Sequence, residues 1–540
     1  MTTTSSVTPY RTEVHSARDG FAQSLRAEWT KFRTVRGWII GLFVAVLVMV
    51  GLGLLTATAG SIQCGGGPGN SGQRSGAACR LNPPLGPDGE AVFDTFYFVH
   101  QPLAGNGTIT ARVTSFTGLY SPQGAIGSGS DTAGMVSGTQ PWSKAGIIIK
   151  QSDAAGSAYA AMMVTGGNGV RMQYNFTHDV AGTPGAVSSS SPRWLRLVRS
   201  GDTITGYDSL DGTHWTAVSS ATLAGLPSTV QVGLFATSPG YTVTTQNFGG
   251  GSSVGGPTQA TGSFDNVAVQ GAAQGATWQG DVVGTAKARA ADLLQAANYQ
   301  QSGDGFTVTG TGDIAPWGAG GLGDGRPVEQ SLVGAFAGLI AIAIVAAMFI
   351  TAEYRRGLIR LTLAATPRRG RVLAAKAVVI GTMTFLVGLV ASVIAMPLSD
   401  HIAYNHGRYI LPVSSLTEFR VIVGTAALFA GVAIFALGVG ALLRRSATTV
   451  TVVIVMIVLP YILAVASVLP ADAAQWLMRL TPAAAFSVQQ SLVAYPQVTA
   501  SYTPSNGYFP LAPWAGFAVL CGYAILALGL AHLRLSRRDA

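Results

Sequence analysis

Six apolar runs, approximately Gly37 to Thr58, Gln330 to Ile350, Ala377 to Pro397, Val421 to Leu443, Thr448 to Val468 and Pro513 to Leu533, constrain this chain more than any other feature. Each is long enough to cross a hydrocarbon core of roughly 30 Å, which takes about 20 helical residues. Composition agrees: with 48% hydrophobic and only 11% charged residues over 540 positions, the chain is too apolar for an ordinary soluble enzyme. The first run, WIIGLFVAVLVMVGLGLL, follows about 36 polar residues and lacks a convincing small-residue cleavage site, so it reads as a retained span.

Lys and Arg in short loops resist translocation, and their distribution orients the bundle. Cations cluster before span one (Arg26, Lys31, Arg33, Arg36), between spans two and three, between four and five (Arg444, Arg445) and after span six (Arg534, Arg537, Arg538). The loops Ser399 to Glu418 and Ala471 to Ala512 are cation-poor. One topology satisfies every cluster: six spans in the plasma membrane, both termini cytoplasmic, and the long segment between spans one and two outside.

The loop TAEYRRGLIRLTLAATPRRGRVLAAK, Thr351 to Lys376, carries seven cations. A topology signal alone explains many such loops. This one also has internal design. Glu353, Arg356 and Arg360 lie at i, i+3 and i+7, so span two is expected to continue as a helix with its charges on one side, breaking at TPRRG before a second helix from Arg371. Ahead of span one, Phe21, Leu25, Trp29 and Phe32 form one stripe of an amphipathic helix that lies in the headgroup plane, with Glu28 intruding at the stripe's edge.

The stretches LRAEWTKFRTVRGW, TAEYRRGLIRLTLAATPRRGRVLAAKAVV and WLMRLTPAAAFS together resemble permease subunits of type-2 ATP-binding-cassette transporters, over residues 20 to 60 and 328 to 538. The resemblance implies that the segment holding Phe21, Leu25, Trp29 and Phe32 is an interfacial connecting helix. It implies also that the region of Glu353, Arg355, Arg356, Arg360, Arg368, Arg369 and Arg371 contains the coupling helix contacted by the ATPase. It implies further that two permease chains, or two fused halves, form the pathway, with a homodimer expected. No G-x-x-x-x-G-K-[ST] phosphate loop occurs in the sequence, so ATP and magnesium belong to a separate ATPase subunit and this chain carries no cofactor of its own. Membrane lipids and that ATPase are the expected partners, and nucleic acid is not.

Between spans one and two, residues 59–327 shift to Gly, Ser, Thr and Asp. Cys64 and Cys79 bracket a Gly-rich loop in this exported segment, where a disulfide is chemically sustainable. Cys521, inside span six, reads as a packing residue. From about residue 92 to 270, short β-branched and aromatic runs are punctuated by turns such as Ser200-Gly201 and Asp211-Gly212, indicating an all-β antiparallel sandwich. The order AGIIIKQS, WLRLVRSGDTITGYDSLDGTHWT, VGLFATS, FDNVAV resembles concanavalin-like sandwiches of the laminin-G and glycan-binding type. That resemblance makes Trp142, Tyr174, Tyr207 and Trp215 candidate glycan-binding residues, while RWLRLV reads as a strand with Trp194 packed inward. Residues 271–327 read as a linker, with one short helix in ARAADLLQAANY.

Two activities are disfavoured. Glycoside hydrolysis needs paired carboxylates across a cleft, yet Glu90 is the only Glu between Gly60 and Pro327. His100, His178 and His214 have no partners at metal spacing, so no metal site is expected. The spans contain almost no charge, with Pro460, Thr382, Thr384 and Thr448 as the main irregularities, which argues against a proton or ion relay. The expected fold is therefore a six-span helical bundle with a concanavalin-like sandwich inserted between spans one and two. The expected function is the permease subunit of an exporter of lipidic, amphipathic or glycan-containing cargo. The competing reading is a membrane-anchored glycan-binding receptor or sensor.

Overall fold

The computed structural model describes residues 20–59, 63–64, 74–76, 82–122, 135–247, 250–272, 275–284, 297–317, 325–355, 357, 369–499 and 502–537. Eight helices carry the argument: α1 (Phe21–Thr34), α2 (Arg36–Thr58), α3 (Ala335–Arg355), α4 (Arg369–Asn405), α5 (Ser415–Leu443), α6 (Ser446–Val465), α7 (Ala471–Leu480) and α8 (Pro513–Arg537). Six of them, α2 to α6 and α8, are long and apolar enough to cross a membrane.

Helix α5 is central, packed by α3, α4 and α8. Its glycines recur every seven residues, Gly424, Gly431 and Gly438, and this stripe lets neighbours approach: a Cβ at Gly431 would meet Leu520, and one at Gly438 would meet Ala527 of α8. Helix α4 is longer than the apolar run Ala377 to Pro397 predicts. It begins at Arg369 and ends at Asn405, 37 residues with Pro397 inside it, or about 55 Å at 1.5 Å per residue. In α6 a π-helical turn, Ile454–Val458, precedes Pro460, which cannot donate to the ladder.

The cation-poor segment after α6 is not a simple loop. Helix α7 turns back against the end of α6, and the Leu480 carbonyl at its last residue accepts from the Tyr523 hydroxyl of α8 at 2.9 Å. The 3-10 segment Pro482–Gln489 then returns, buried at all eight residues, and Ser487 donates to the Pro513 carbonyl at 3.1 Å. A carboxylate closes this hairpin at the end of the bundle nearer the strands. Glu329, in the 3-10 turn Val328–Leu332, accepts from the Ser491 hydroxyl and from the Ser491 amide at 3.2 Å.

The strands occupy the chain between α2 and α3 and form two facing layers. One strand, Phe96–Tyr120, runs through both: residues 97–104 pair with Thr229–Thr237, and residues 107–113 pair with Arg193–Ser200. The first layer continues from Thr229–Thr237 through Lys144–Lys150, Tyr159–Thr165 and Val170–Tyr174 to His178–Ala181. The second runs from Arg193–Ser200 through Thr203–Ser209 to Thr216–Thr222 on one side and to Thr258–Ala272 on the other. Ile147, Met162 and Leu234 of the first layer pack with Leu195, Leu197 and Ile204 of the second. The Ser200-Gly201 turn is present, with Gly201 at φ +63.

Two expectations for this region change. Gln279–Val283, Asn298–Ser302, Gly305–Gly310 and Ile314–Pro316 are strands within the stretch expected to be a linker. Phe306 and Val308 alternate inward in a period of two, and the Gly-rich flanks masked that signal. Of ARAADLLQAANY, only Ala297 to Tyr299 fall among the described residues, with Asn298 and Tyr299 in a strand, so the expected helix lies outside them. Trp194 also points outward: in Arg193–Ser200 the inward set is Leu195 and Leu197, and Trp194 shares the outer face with Arg196. Cys79 lies outside the described residues, as does the side chain of Cys64, so the expected disulfide does too.

The first layer is buried on both faces. Its outer face is covered by the short sheet Val92–Asp94 with Ile314–Pro316, and Val92, Phe96, Ile148, Tyr159, Phe176 and Ile314 form a second core there. Contacts to the helices follow from the same side: Gln497 donates to the carbonyls of Phe176 and Thr177, both at 3.1 Å, and Gly325–Arg326 pairs with Tyr409–Ile410.

Burial pushes the Glu329 carboxyl up from 4.5 to about 7, against the pull of Ser491 and Arg420. The folded state then holds a proton that the unfolded chain releases between these two values, so stability falls as pH rises through that window, by about 3 kcal/mol in all. Glu329→Gln removes this dependence. Thermal unfolding in detergent is expected to show the variant matching the parent near pH 4.5 and exceeding it increasingly toward pH 8; parallel pH profiles would contradict the assignment.

Candidate coupling site

At the far end of the bundle from the strands, four charges on three helices meet in one cluster. The ammonium of Lys376, in the second turn of α4, lies 2.5 Å from Glu28 Oε2 of α1 and 2.8 Å from Glu353 Oε1 near the end of α3. Lys31 of α1 reaches the same two carboxylates, at 2.7 Å to Glu28 and 3.0 Å to Glu353. Lys376 is 1% exposed and Glu28 2% exposed, so these are interior charges that would be strongly penalised without one another. The Phe349 ring lies 4.6 Å from the Lys376 ammonium and adds a cation–π contact.

Local sequence explains the convergence. In α1, Leu25, Glu28 and Phe32 share one face at i, i+3 and i+7. Phe32, 1% exposed, wedges between Trp38 and Phe349 with ring centroids 5.8 and 5.6 Å away. Glu28 therefore sits in the middle of the buried face. Phe21 and Trp29, expected on that same face, are 42% and 43% exposed. For Lys31, burial opposes the charge, but the hydrogen bonds and charges of Glu28 and Glu353 outweigh it and raise the pKa.

The expected coupling residues divide into three groups. Glu353 is turned into the cluster, 7% exposed, rather than toward a partner. Arg369, the first residue of α4, donates to the Leu535 carbonyl of α8 at 2.5 Å, and Arg371 is half-buried one turn before Lys376. Arg355 ends α3, and its side chain is outside the described set, as are Arg356, Arg360 and Arg368 in full. The frame around residues 356–368 is thus fixed on both sides. Arg444, the left-handed cap of α5 at φ +59, adds a contact at 5.1 Å to the ring of Tyr354. Sequence reasoning missed Glu28, Lys31 and Lys376 as a unit; the signal was a glutamate in an apolar stripe and a lysine entering an apolar run.

The aromatics considered for glycans do not form one site. Trp142, 8% exposed beneath Arg171, and Tyr174, stacked on His178 at 4.4 Å, belong to the first layer. Tyr207 and Trp215 belong to the second. Arg196 pairs in register with Tyr207, its guanidinium lies 3.7 Å from the Trp215 ring centroid, and Trp194 stands beside Arg112, which is paired with Asp265 at 2.5 Å. Among the described residues, no group of three or more His, Cys, Asp or Glu is placed to hold a metal ion.

Six apolar helices with a buried ion cluster bracketing a cationic loop define a multi-pass membrane protein built around that loop. A family model described as ABC-2 family transporter protein matches residues 235–540, more than half of the chain, and the chain belongs to this family. It is accordingly a permease subunit of an ATP-binding-cassette transporter, a membrane component that works with an ATPase subunit. No curated protein matches the chain.

Solved structures with some likeness include a functionally unknown protein from Saccharomyces cerevisiae, 14% identical, covering 32% of this chain and 71% of that one at a TM-score of 0.17. Scytalido-glutamic peptidase with a transition state analog inhibitor is 8% identical, with 41% and 100% covered and a TM-score of 0.23. Peanut lectin with a 9mer peptide is 11% identical, with 42% and 88% covered and a TM-score of 0.15. At these scores none bears on ligand or activity.

Removing one member of the cluster strands the others. Lys376→Met leaves two buried carboxylates with one partly exposed lysine, and a loss of about 3 kcal/mol is expected. In a double-mutant cycle, Glu28→Gln with Lys376→Met should cost clearly less than the two single changes added, read by thermal unfolding in detergent. Additive losses would show that the cluster is not a unit.

Proposed function

We propose that this chain is the permease half of a homodimeric exporter, with both termini and the loop 351–376 in the cytoplasm and the strands outside. The ATPase subunit supplies ATP and magnesium chemistry. Its closure pushes on the loop, and the push reaches the bundle through the charge cluster. The carrying observation is that Glu353 and Lys376, one at each end of the loop, share one network with Glu28 and Lys31 of α1. Displacing the loop therefore moves α1, α3 and α4 together, because separating any one of them breaks a buried ion pair.

The loop arginines Arg356, Arg360 and Arg368, with Arg355 beside them, are the side chains we assign to charge-assisted contacts with the ATPase or with lipid phosphates. Phe21 and Trp29, exposed on α1, seat that helix at the headgroups. An apolar set of spans suits lipidic or amphipathic cargo. Charge reversal at Arg360 and Arg368 is expected to reduce the copurifying ATPase about tenfold, while Glu28→Gln keeps the ATPase bound and lowers transport-linked hydrolysis. Unchanged copurification and hydrolysis in both variants would refute the coupling assignment.

For the strands we propose a concanavalin-like sandwich whose second layer binds cell-surface glycan or glycan-containing cargo. Trp194, Trp215, Tyr207 and Arg196 support this by presenting rings and a guanidinium side by side on one outward face. Trp215→Ala is expected to weaken retention of the full-length protein on immobilised envelope polysaccharide at least fivefold, a change of about 1 kcal/mol; equal retention removes the glycan reading and leaves the permease reading intact.

A further inference from the structure

The strand Lys144–Lys150 ends in two lysines whose side chains are both fully buried. Each meets an aspartate from the covering segments. Lys144 pairs with Asp313 at 2.6 Å and also donates to the Ile314 carbonyl at 2.6 Å; the Asp313 side chain remains 14% exposed. Lys150 lies 2.7 Å from Asp94 Oδ2, and there both side chains are 0% exposed. These two pairs look alike in sequence and differ in chemistry.

Around the second pair the side chains are mostly apolar, while the Ser157 carbonyl accepts from Lys150 at 3.1 Å. The rings of Tyr159 and Phe176 each lie 5.8 Å from the Lys150 ammonium, and Ile148, Phe96 and Val92 belong to the same core. Burial raises the Asp94 carboxyl despite Lys150 beside it, and burial lowers the Lys150 ammonium despite Asp94. Both shifts run against the charged forms and toward the neutral pair, a carboxylic acid beside an amine. Asp94 Oδ2 also accepts from the Gly156 amide at 2.7 Å, while Oδ1 is buried without a partner.

We propose that Lys150 and Asp94 become joined by an intramolecular amide bond between Nζ and Cγ. The amine nitrogen, held in contact with the carboxyl group, attacks Cγ through its lone pair. The developing negative charge falls on Oδ2, where the Gly156 N–H already donates. The Cγ–Oδ1 bond then breaks, Oδ1 leaves as hydroxide, and it takes one proton from the attacking nitrogen. One water is released, one amide is formed, and no oxidant or other reactant is consumed. The apolar surroundings keep water from reversing the step.

Mass spectrometry of the full-length protein, purified from membranes in detergent and digested with trypsin, tests this directly. An acylated Lys150 resists trypsin, so the expected product is one branched species joining residues 81–112 to residues 145–171, lighter than the two peptides together by one water. Asp94→Ala should abolish it, and the Lys144 and Asp313 peptides should stay separate. Recovery of the Asp94 peptide and a cleaved Lys150 site at full mass, in the parent protein, would overturn the proposal, as would linkage at Lys144 instead. Because the deciding measurement uses the parent chain, misfolding of the variant does not blur it.

Discussion

Everything at the loop end of this protein depends on one buried ion cluster. Two glutamates and two lysines on α1, α3 and α4 neutralise each other within hydrogen-bonding distance, and Lys376 has little access to water. Such a cluster adds little net stability, because desolvation consumes most of the attraction, but it specifies geometry strictly. Slippage of α1 along the bundle would leave a charge stranded. The same interaction that fixes the amphipathic helix also fixes both roots of the cationic loop.

The strand domain is attached by a related logic. Its first layer carries buried lysines at both ends of one strand, and each holds an aspartate from a segment leading toward the membrane helices: Asp94 on the way in and Asp313 on the way out. Gln497 then fastens the Phe176 turn, where Asn175 and Phe176 adopt positive φ values that non-glycine residues rarely occupy. The local strain sits where the two parts of the protein touch.

Much of this was legible in the sequence. All six spanning helices were readable within a few residues at most ends, because long apolar runs leave no other fold available. The hairpins around Gly201 and Gly212 were readable from turn chemistry. What failed shares a cause: short-range pattern cannot say what lies across the fold. Glu28 looked like a flaw in a stripe until Lys376, far along the chain, was opposite it. Trp194 looked like core because it is large, while the phase of its strand was set by Leu195 and Leu197. The α7 hairpin was invisible because a ten-residue amphipathic helix beside a small-residue run reads as a loop. The candidate site was legible only as a location, through its arginines.

Helix α4 joins these two regimes. One unbroken element carries Lys376 near its first turns and delivers the chain, just past Asn405, to Tyr409, which pairs with the segment leaving the strand domain. A helix does not compress along its axis without losing hydrogen bonds, so α4 holds the root of the cationic loop and the edge of the strand domain at one fixed spacing.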